Sequence, residues 1–471
     1  MMRARLLQAS PMSSQSFTVL DLRPELLATI AQQNYAAMTP IQAQALPALL
    51  AGQDLIAQAM TGSGKTAAFA IGLLNKLDAQ RYCTQALVLC PTRELAEQVA
   101  TEVRKLASAI PNLRVVTLCG GKPMGPQLAS LQRDPHIVVG TPGRILKHIE
   151  KQTLQLKSVQ TLVLDEGDRM LDMGFFEDIT QIISSTPVTR QTLLFSATYP
   201  DGIRSISRDI QRDPVEIRVE AQHSPPDIEQ VFIEIERSQR QQVLFNVIAQ
   251  YQPESTVVFC NTKQQCRELA DALRQQDLHA LALHGDLEQA QRDQVLTQFA
   301  GKSSSILIAT DVAARGLDID ELSAVINYEL SRDPEVHVHR IGRTARAGSK
   351  GIAVSLFTDT ERRKLRAIEE YQGSTISIIT ADSLVVPANF KLYPPMVTLC
   401  INGGRKEKVR AGDVLGALTA NGDIAGTQIG KITLFDRTAY VAVEQSVAKL
   451  ALLVLNEQKL KGRQFKARRL R

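Results

Sequence analysis

The stretch DLIAQAMTGSGKTAAFAIGLLNKL, residues 54–77, decides how the chain is read. An apolar segment, Leu55 to Ala57, enters a turn containing Gly62 and Gly64, and the turn enters a helical run rich in Ala, Phe and Leu. Strand, glycine loop and helix in that order make a phosphate cradle, because glycines let backbone N–H groups close around phosphate oxygens at the positive end of a helix. Lys65 is placed to reach the β- and γ-phosphates, and the Thr66 hydroxyl to bind Mg²⁺. The expected nucleotide loop is therefore Ala59, Met60, Thr61, Gly62, Ser63, Gly64, Lys65 and Thr66, with Ala59 where such loops usually start on glycine.

Further along, TLVLDEGD ends an apolar run on Asp165, Glu166, Gly167 and Asp168. Acids at the end of a strand are often no more than solvated loop residues. Beside a phosphate loop they acquire work: Asp165 to hold Mg²⁺ through water, Glu166 to position and deprotonate an attacking water. Around these segments short β-branched runs alternate with helical stretches, as in QALVLC before PTRELAEQVATEVRKLA and SILIAT before DVAARG. That alternation is the grammar of a parallel α/β sheet covered on both faces.

The rhythm breaks at VEAQHSPPDIEQ, residues 219–230, and again at 373–395. The expected organisation is a disordered extension (1–16), a first α/β domain (17–220), a second (221–372), a linker (373–395) and a C-terminal domain (396–471). The last part reads as strand, helix, strand, strand, helix, strand, the βαββαβ order of a ferredoxin-like or RRM-like unit.

The composition, 44% hydrophobic and 22% charged over 471 residues, excludes a wholly disordered or fibrous chain. Net charge is +5, yet residues 396–471 carry fourteen Lys and Arg against six Asp and Glu, so the preceding residues are net acidic. Basicity concentrated in one tail suits a polyanion as partner. The six cysteines form no CxxC pair and sit mostly in apolar runs, as buried thiols in a reducing compartment do. No apolar run approaches the roughly 18 residues of a membrane helix. A cytoplasmic protein with no membrane partner is expected.

In this setting the sequence resembles the DEAD-box family of superfamily 2 helicases over nearly all of residues 17–360. Phe17, MTPIQ ending on Gln42, AMTGSGKT, PTRELA (91–96), Gly120-Gly121, TPGR (141–144), DEGD and SAT (196–198) occur in order. They are followed by VVFCNT, QAQR (289–292), ATDVAARGLDI (309–319) and HRIGRTAR (339–346). The resemblance implies two RecA-like parallel-sheet domains and an enzyme, an RNA helicase and RNA-dependent ATP hydrolase, with Mg²⁺ accompanying ATP. It implies that Phe17 stacks on adenine while Gln42 reads its edge, that Asp318 meets the ribose, and that Arg343 and Arg346 act as arginine fingers. Pro91, Thr92, Arg93, Gly121, Thr141, Gly143 and Arg144, with Gln289, Arg292, Thr310 and Gly316 in the second domain, are implied to line an RNA track. Ser196 and Thr198 are implied to couple the two activities through Asp168. The family's third DEAD letter is alanine, whereas this chain has Gly167, so a slower ATPase is expected.

The tail, with MVTLCINGGRKEKVRAGDVLGALT as its most telling stretch, resembles the RNA-binding domain of the bacterial DbpA subfamily. That likeness implies large-subunit ribosomal RNA and pre-ribosomal particles as partners and a role in ribosome assembly, with the chain acting as a monomer. Strand MVTLCI has no aromatic residue and TAYVAV only Tyr440, with Thr438 and Val443 at the expected stacking positions. RNA is therefore expected to meet basic side chains, Arg405, Lys406 and Lys408 with Arg410, or the segment from Lys459 to Arg471. Two other readings stay open: a hydrolysis-impaired, ATP-gated RNA clamp, and a general RNA helicase without ribosomal specificity.

Overall fold

A computed structural model describes residues 16–33, 35–59, 62–196, 198, 201–219, 228–314, 322–344, 351–388 and 390–470. Met60, Thr61, Gly316, Asp318, Arg346 and the extension 1–15 lie outside the described residues, as does Ala197 of SAT.

The first sheet contains β1 (Leu55–Gln58), β2 (Ala86–Leu89), β3 (Val115–Leu118), β4 (Ile137–Gly140), β5 (Thr161–Asp165), β6 (Gln191–Ser196) and β7 (Val215–Arg218). All pairings are parallel, in the order β3-β4-β2-β5-β6-β1-β7. β2, β4, β5 and β6 are buried along their whole length, because helices cover both faces and continuous runs such as ALVL and IVVG leave no polar side. One apolar cluster joins β1 and β2 to helices Pro40–Leu50, Lys65–Lys76 and Arg93–Leu106. A second joins the opposite face to helices Pro142–Glu150, Phe176–Ser184 and Asp201–Ile210. Buried Asp54 fixes the entry to β1: its two carboxylate oxygens accept from the backbone N–H groups of Thr192 and Arg212, both at 2.7 Å.

The second sheet contains β8 (Ile228–Glu234), β9 (Thr256–Cys260), β10 (Ala280–Leu283), β11 (Ile306–Thr310), β12 (Ala324–Asn327), β13 (Gly351–Phe357) and β14 (Ser377–Thr380). Its order, β10-β11-β9-β12-β13-β8-β14, repeats that of the first sheet strand for strand. The repeat places β14 where β7 stands. Thus the segment read from sequence as a linker (373–395) supplies a strand paired to β8, and Leu384, Phe390 and Leu392 pack on the same core.

The third sheet contains β15 (Met396–Ile401), β16 (Ile429–Leu434), β17 (Ala439–Glu444) and β18 (Ala467–Arg469), antiparallel in the order β16-β17-β15-β18. Helices Ala411–Thr419 and Ala448–Glu457 cover one face. The βαββαβ expectation holds in element order, but not in facing. Val443 lies in the core with Val441 and Val397, so the face of β17 turned away from the helices carries Tyr440 and Ala442 instead, and Thr438 precedes the strand.

All six cysteines are free, and all but the half-buried Cys83 are buried. No helix among the described residues is long and apolar enough to cross a membrane.

Candidate functional site

Three neighbouring strands of the first sheet end in three of the sequence motifs. β1 runs into the glycine loop, β5 into DEGD, and β6, lying between them, ends on Ser196. The register pairs Gln58 with Ser196 and Asp165 with Phe195, so the motifs converge at the carboxyl edge, where open parallel sheets bind ligands.

In the loop, Gly62 and Gly64 take φ of 81° and 96°, a region that favours glycine. Gly64 is also hemmed in, since a Cβ there would lie 2.6 Å from Gln42 Nε2. Gln42 is almost fully buried: its Oε1 accepts from Thr39 N at 2.8 Å and its Nε2 donates to Gly64 O at 3.2 Å. The carboxamide keeps one N–H and one lone pair, the set needed to meet an adenine edge. Phe17 is buried against Tyr35, with ring centroids 6.4 Å apart. Lys65 begins helix Lys65–Lys76, and its Nζ donates to Ala59 O at 2.7 Å. Burial pulls its pKa down, against the opposing charges of Asp165, Glu166 and Asp168.

The acid cluster is buried too. Burial first, and the neighbouring Glu166 second, push Asp165 up to about 7. Glu166 stands in the left-handed region at φ 55°, and its Oε2 accepts from Arg169 Nη1 at 2.5 Å with both side chains buried. Asp168 Oδ2 accepts from the Thr198 hydroxyl at 2.8 Å and from Thr198 N at 3.1 Å, while Asp168 N donates to Ser196 Oγ at 3.2 Å. Burial would raise the Asp168 pKa, but these hydrogen bonds and Arg169 together lower it. Asp165 and the Thr66 hydroxyl are hard oxygen donors, and three buried acids against two cations leave room for a dication's charge. Among the described residues no cluster of three or more His, Cys, Asp or Glu could cage a metal alone. That donor set fits Mg²⁺, which keeps waters and substrate phosphates in its shell.

The other half of the same edge gathers a second group. β2, β4 and β3 lead into PTRELA, TPGR and the glycine pair. Thr92 caps helix Arg93–Leu106 through Leu95 N at 3.2 Å, next to buried Pro91. The Arg93 guanidinium lies so close over Gly121, at φ 71°, that any Cβ there would overlap it. Gly120 N donates to Thr141 Oγ1 at 3.4 Å, Arg144 Nη1 donates to Lys122 O at 3.0 Å, and a Cβ on Gly143 would sit 3.2 Å from Asp178. Three sequence-distant motifs thus form one surface of hydroxyls, guanidinium groups and bare backbone.

In the second domain Gln289 Nε2 donates to Asp293 at 2.8 Å, Arg292 Nη2 to Ala313 O at 3.1 Å, and Ala313 N to the Thr310 hydroxyl at 3.3 Å. Arg343 follows helix Pro334–Ile341 and is buried. The organiser there, missed in the sequence, is Arg340. Its guanidinium pairs with both Asp311 oxygens at 2.6 and 2.7 Å, reaches Asn327, Glu329 O and Asn261, and stacks over Phe259 at 5.1 Å. Its place inside HRIGRTAR was the available signal. Arg169, likewise missed, had none beyond its position next to DEGD.

In the C-terminal domain Arg405, Lys406, Lys408 and Arg410 are exposed, and so are Lys459, Lys461, Arg463 and Lys466. The structure merges these two candidate groups. Phe465 packs against Gly403, Asn402 N donates to Lys466 O at 2.9 Å, and Lys461 lies 3.4 Å from Asp413.

A nucleotide loop, an acid pair and a backbone-reading surface on one parallel sheet, with an arginine-rich helix end on a second sheet of the same order, narrow the possibilities to one class. Three family models match: DEAD/DEAH box helicase over residues 39–206, helicase conserved C-terminal domain over 239–348, and DbpA RNA binding domain over 398–469. The chain belongs to the DEAD-box family of ATP-dependent RNA helicases. It is 50% identical to ATP-dependent RNA helicase DbpA of Escherichia coli (strain K12), over 97% of this chain and 100% of that one. DEAD-box ATP-dependent RNA helicase CshA of Bacillus cereus (strain ATCC 10987 / NRS 248) is 45% identical over 75% of this chain and 67% of its own length. A structure of S. cerevisiae Dbp5 bound to RNA and ADP BeF3 has a TM-score of 0.71 at 32% identity, covering 78% of this chain and 96% of that one. As a DEAD-box member the chain is an enzyme that couples ATP hydrolysis to work on RNA, and its C-terminal sheet is an RNA-binding domain.

Proposed function

We propose that this helicase is directed to large-subunit ribosomal RNA in the cytoplasm, where it separates short duplexes during ribosome assembly and acts as a monomer. The observation that carries the reading is the union of a nucleotide-loop and acid edge with a DbpA-type domain whose two basic segments form one patch. In this reading, residues 17–220 bind ATP through Phe17, Gln42, Gly62 to Thr66 and Asp165. Lys65 draws charge from the β- and γ-phosphates, and Glu166 takes the proton of the attacking water. Residues 221–372 supply Arg343 and Arg346 for the transferring phosphoryl group and Asp318 for the ribose. Mg²⁺, bound with ATP by Thr66 and through water by Asp165, would offset phosphate charge. One RNA strand runs over Arg93, Gly121, Thr141 and Arg144, and over Gln289, Arg292, Thr310 and Gly316. Their hydroxyls, guanidinium groups and bare backbone suit phosphates of any sequence. Specificity then falls to Arg405, Lys406 and Lys408 and the neighbouring basic loop. Thr198 and Ser196 carry the coupling through Asp168.

The test is steady-state ATP hydrolysis with no nucleic acid, polyuridylate, large-subunit ribosomal RNA or matched DNA, with Lys65→Ala alongside. Strong stimulation by the ribosomal RNA, lost in Lys65→Ala, is the expected result. Equal stimulation by both RNAs would sink the ribosomal assignment and leave a general helicase.

A further inference from the structure

The third sheet has two faces, and the register tells which residues lie on each. Val397, Leu399, Ile401, Val441 and Val443 turn towards the helices. Thr398 and Ala442, paired directly across β15 and β17, lie on the other face. On a free sheet both would meet solvent, yet each is 2% exposed. The turn that follows helix Gln289–Ala300 of the second helicase domain covers them. Ser303 Oγ lies 2.7 Å from Thr398 Oγ1, and Met396 N donates to Lys302 O at 3.3 Å. A Cβ on Gly301 would stand 3.2 Å from Ala442 Cβ, so the two backbones approach as closely as small residues allow. On the two central strands the rest of this face is filled by the chain itself, where Cys400 and Tyr440 pack with Leu470 and Phe435. The surface on which RRM-type sheets stack bases is therefore closed.

We propose that this face is a built-in dock: the RNA-binding domain works while held on the second helicase domain, so RNA gripped by its basic loops is presented to that domain at a fixed distance and angle. The inference rests on the reading of the C-terminal domain as the RNA anchor. β15 itself is the ruler. Its first residues, Met396 to Thr398, make the docking contacts, and its far end leads directly into Asn402 and the loop of Arg405, Lys406 and Lys408. At about 3.3 Å per residue a stiff, doubly paired strand keeps the gripping loop some 15–20 Å from the dock. A flexible tether of the same length would allow every shorter separation as well. The contacts are polar and small rather than broadly apolar, which suits a hinge set in one position by hydrogen bonds and steric fit.

The test uses the full chain. Ser303→Cys with Thr398→Cys, oxidised by glutathione disulfide, should cross-link in near-complete yield, and the cross-linked chain should keep turnover stimulated by large-subunit ribosomal RNA within twofold. Ser303→Arg sits in the helicase-domain turn and leaves the RNA-binding domain's own core intact. It should lower ribosomal-RNA-stimulated kcat/KM at least tenfold, while polyuridylate-stimulated turnover stays within twofold and affinity for the ribosomal RNA within threefold. The dock is overturned if the cross-link does not form, if it abolishes turnover that reductant restores, or if Ser303→Arg leaves ribosomal-RNA stimulation intact. Equal stimulation of the unaltered chain by both RNAs would count against the ribosomal reading alone, and the cross-link yield would still decide the dock.

Discussion

Replacing Gly167 by alanine tests how much the departure from the family's DEAD spelling matters. Gly167 opens helix Gly167–Asp172 directly after Glu166 and is buried. A Cβ there would lie 3.1 Å from Ile203 Cδ1 and 3.8 Å from Leu194 Cγ. Loss of glycine's freedom in the unfolded chain is worth about 0.4–1 kcal/mol, and a buried methyl about 0.8 kcal/mol. Against this, Ile203 must shift by a few tenths of an ångström in a filled site, which costs about 1 kcal/mol at the mild end of overpacking. The terms nearly cancel, so urea unfolding of Gly167→Ala should fall within about 1 kcal/mol of the parent. If the stiffer backbone tightens the alignment of Glu166 by up to that amount, RNA-stimulated kcat rises by no more than about fivefold. Adding Ile203→Val removes the clashing methyl and should recover whatever the contact costs, read as a double-mutant coupling. A gain of tenfold or more in kcat would refute this balance and favour the hydrolysis-impaired clamp. A tenfold fall would show that Ile203 transmits its displacement into Glu166.

Thr198→Val removes a hydrogen bond to the buried Asp168 carboxylate, worth about 1.5–3 kcal/mol, and should cut duplex unwinding about tenfold or more in a strand-displacement assay, with ATP affinity within threefold. His337 has neither ring nitrogen hydrogen-bonded, and burial, aided by Arg340, holds its pKa at about 3 against an ordinary 6.5. The unfolded state therefore takes up a proton that the folded state refuses, so stability falls as pH drops from 6.5 towards 3. At pH 5 the loss is about 2 kcal/mol by linkage, and His337→Leu should flatten that slope in urea melts of the second domain. Glu361, 2.6 Å from Arg240, would be raised by burial but is lowered overall by that pairing. Its contribution is present above 4.5 and is lost as pH falls through the depressed value. Glu361→Gln should cost about 3–5 kcal/mol at pH 7, because Arg240, still donating to Tyr328 O and Leu356 O, is left buried without a counter-charge, and the difference from the parent should shrink in acid.

The glycine turn ahead of Lys65, the acids after β5 and the repeated strand–helix rhythm were legible because each depends on a local pattern. Strand periodicity, glycine placement and motif order survive without knowledge of neighbours. What sequence could not show depends on partners far along the chain. Segment 373–395 looked like a linker, since β14 has an exposed, four-residue pattern, and only its pairing to β8 makes it a strand. Sequence sets the facing of β17 off by one residue, because AYVAV alternates small and large side chains of similar polarity, and register alone separates Ala442 from Val443. Arg169 and Arg340 are singled out only by tertiary packing, which buries them against acids. The two basic segments of the last domain could not be ranked because they form a single patch.

The strand order also bears on how the chain is made. β1, near the start of the first domain, pairs only with β6 and β7, and Leu55 meets Leu193 and Val215. The second domain repeats the pattern, with β8 waiting for β13 and β14. At about 5–20 residues per second of synthesis, β1 emerges roughly seven to twenty-seven seconds before its first partner exists. During that interval an apolar strand has both edges bare, and neither sheet can close from its own beginning. The enzyme must therefore be shielded twice as it leaves the ribosome, once for each half, and early termination within either domain leaves an adhesive fragment rather than a smaller folded one.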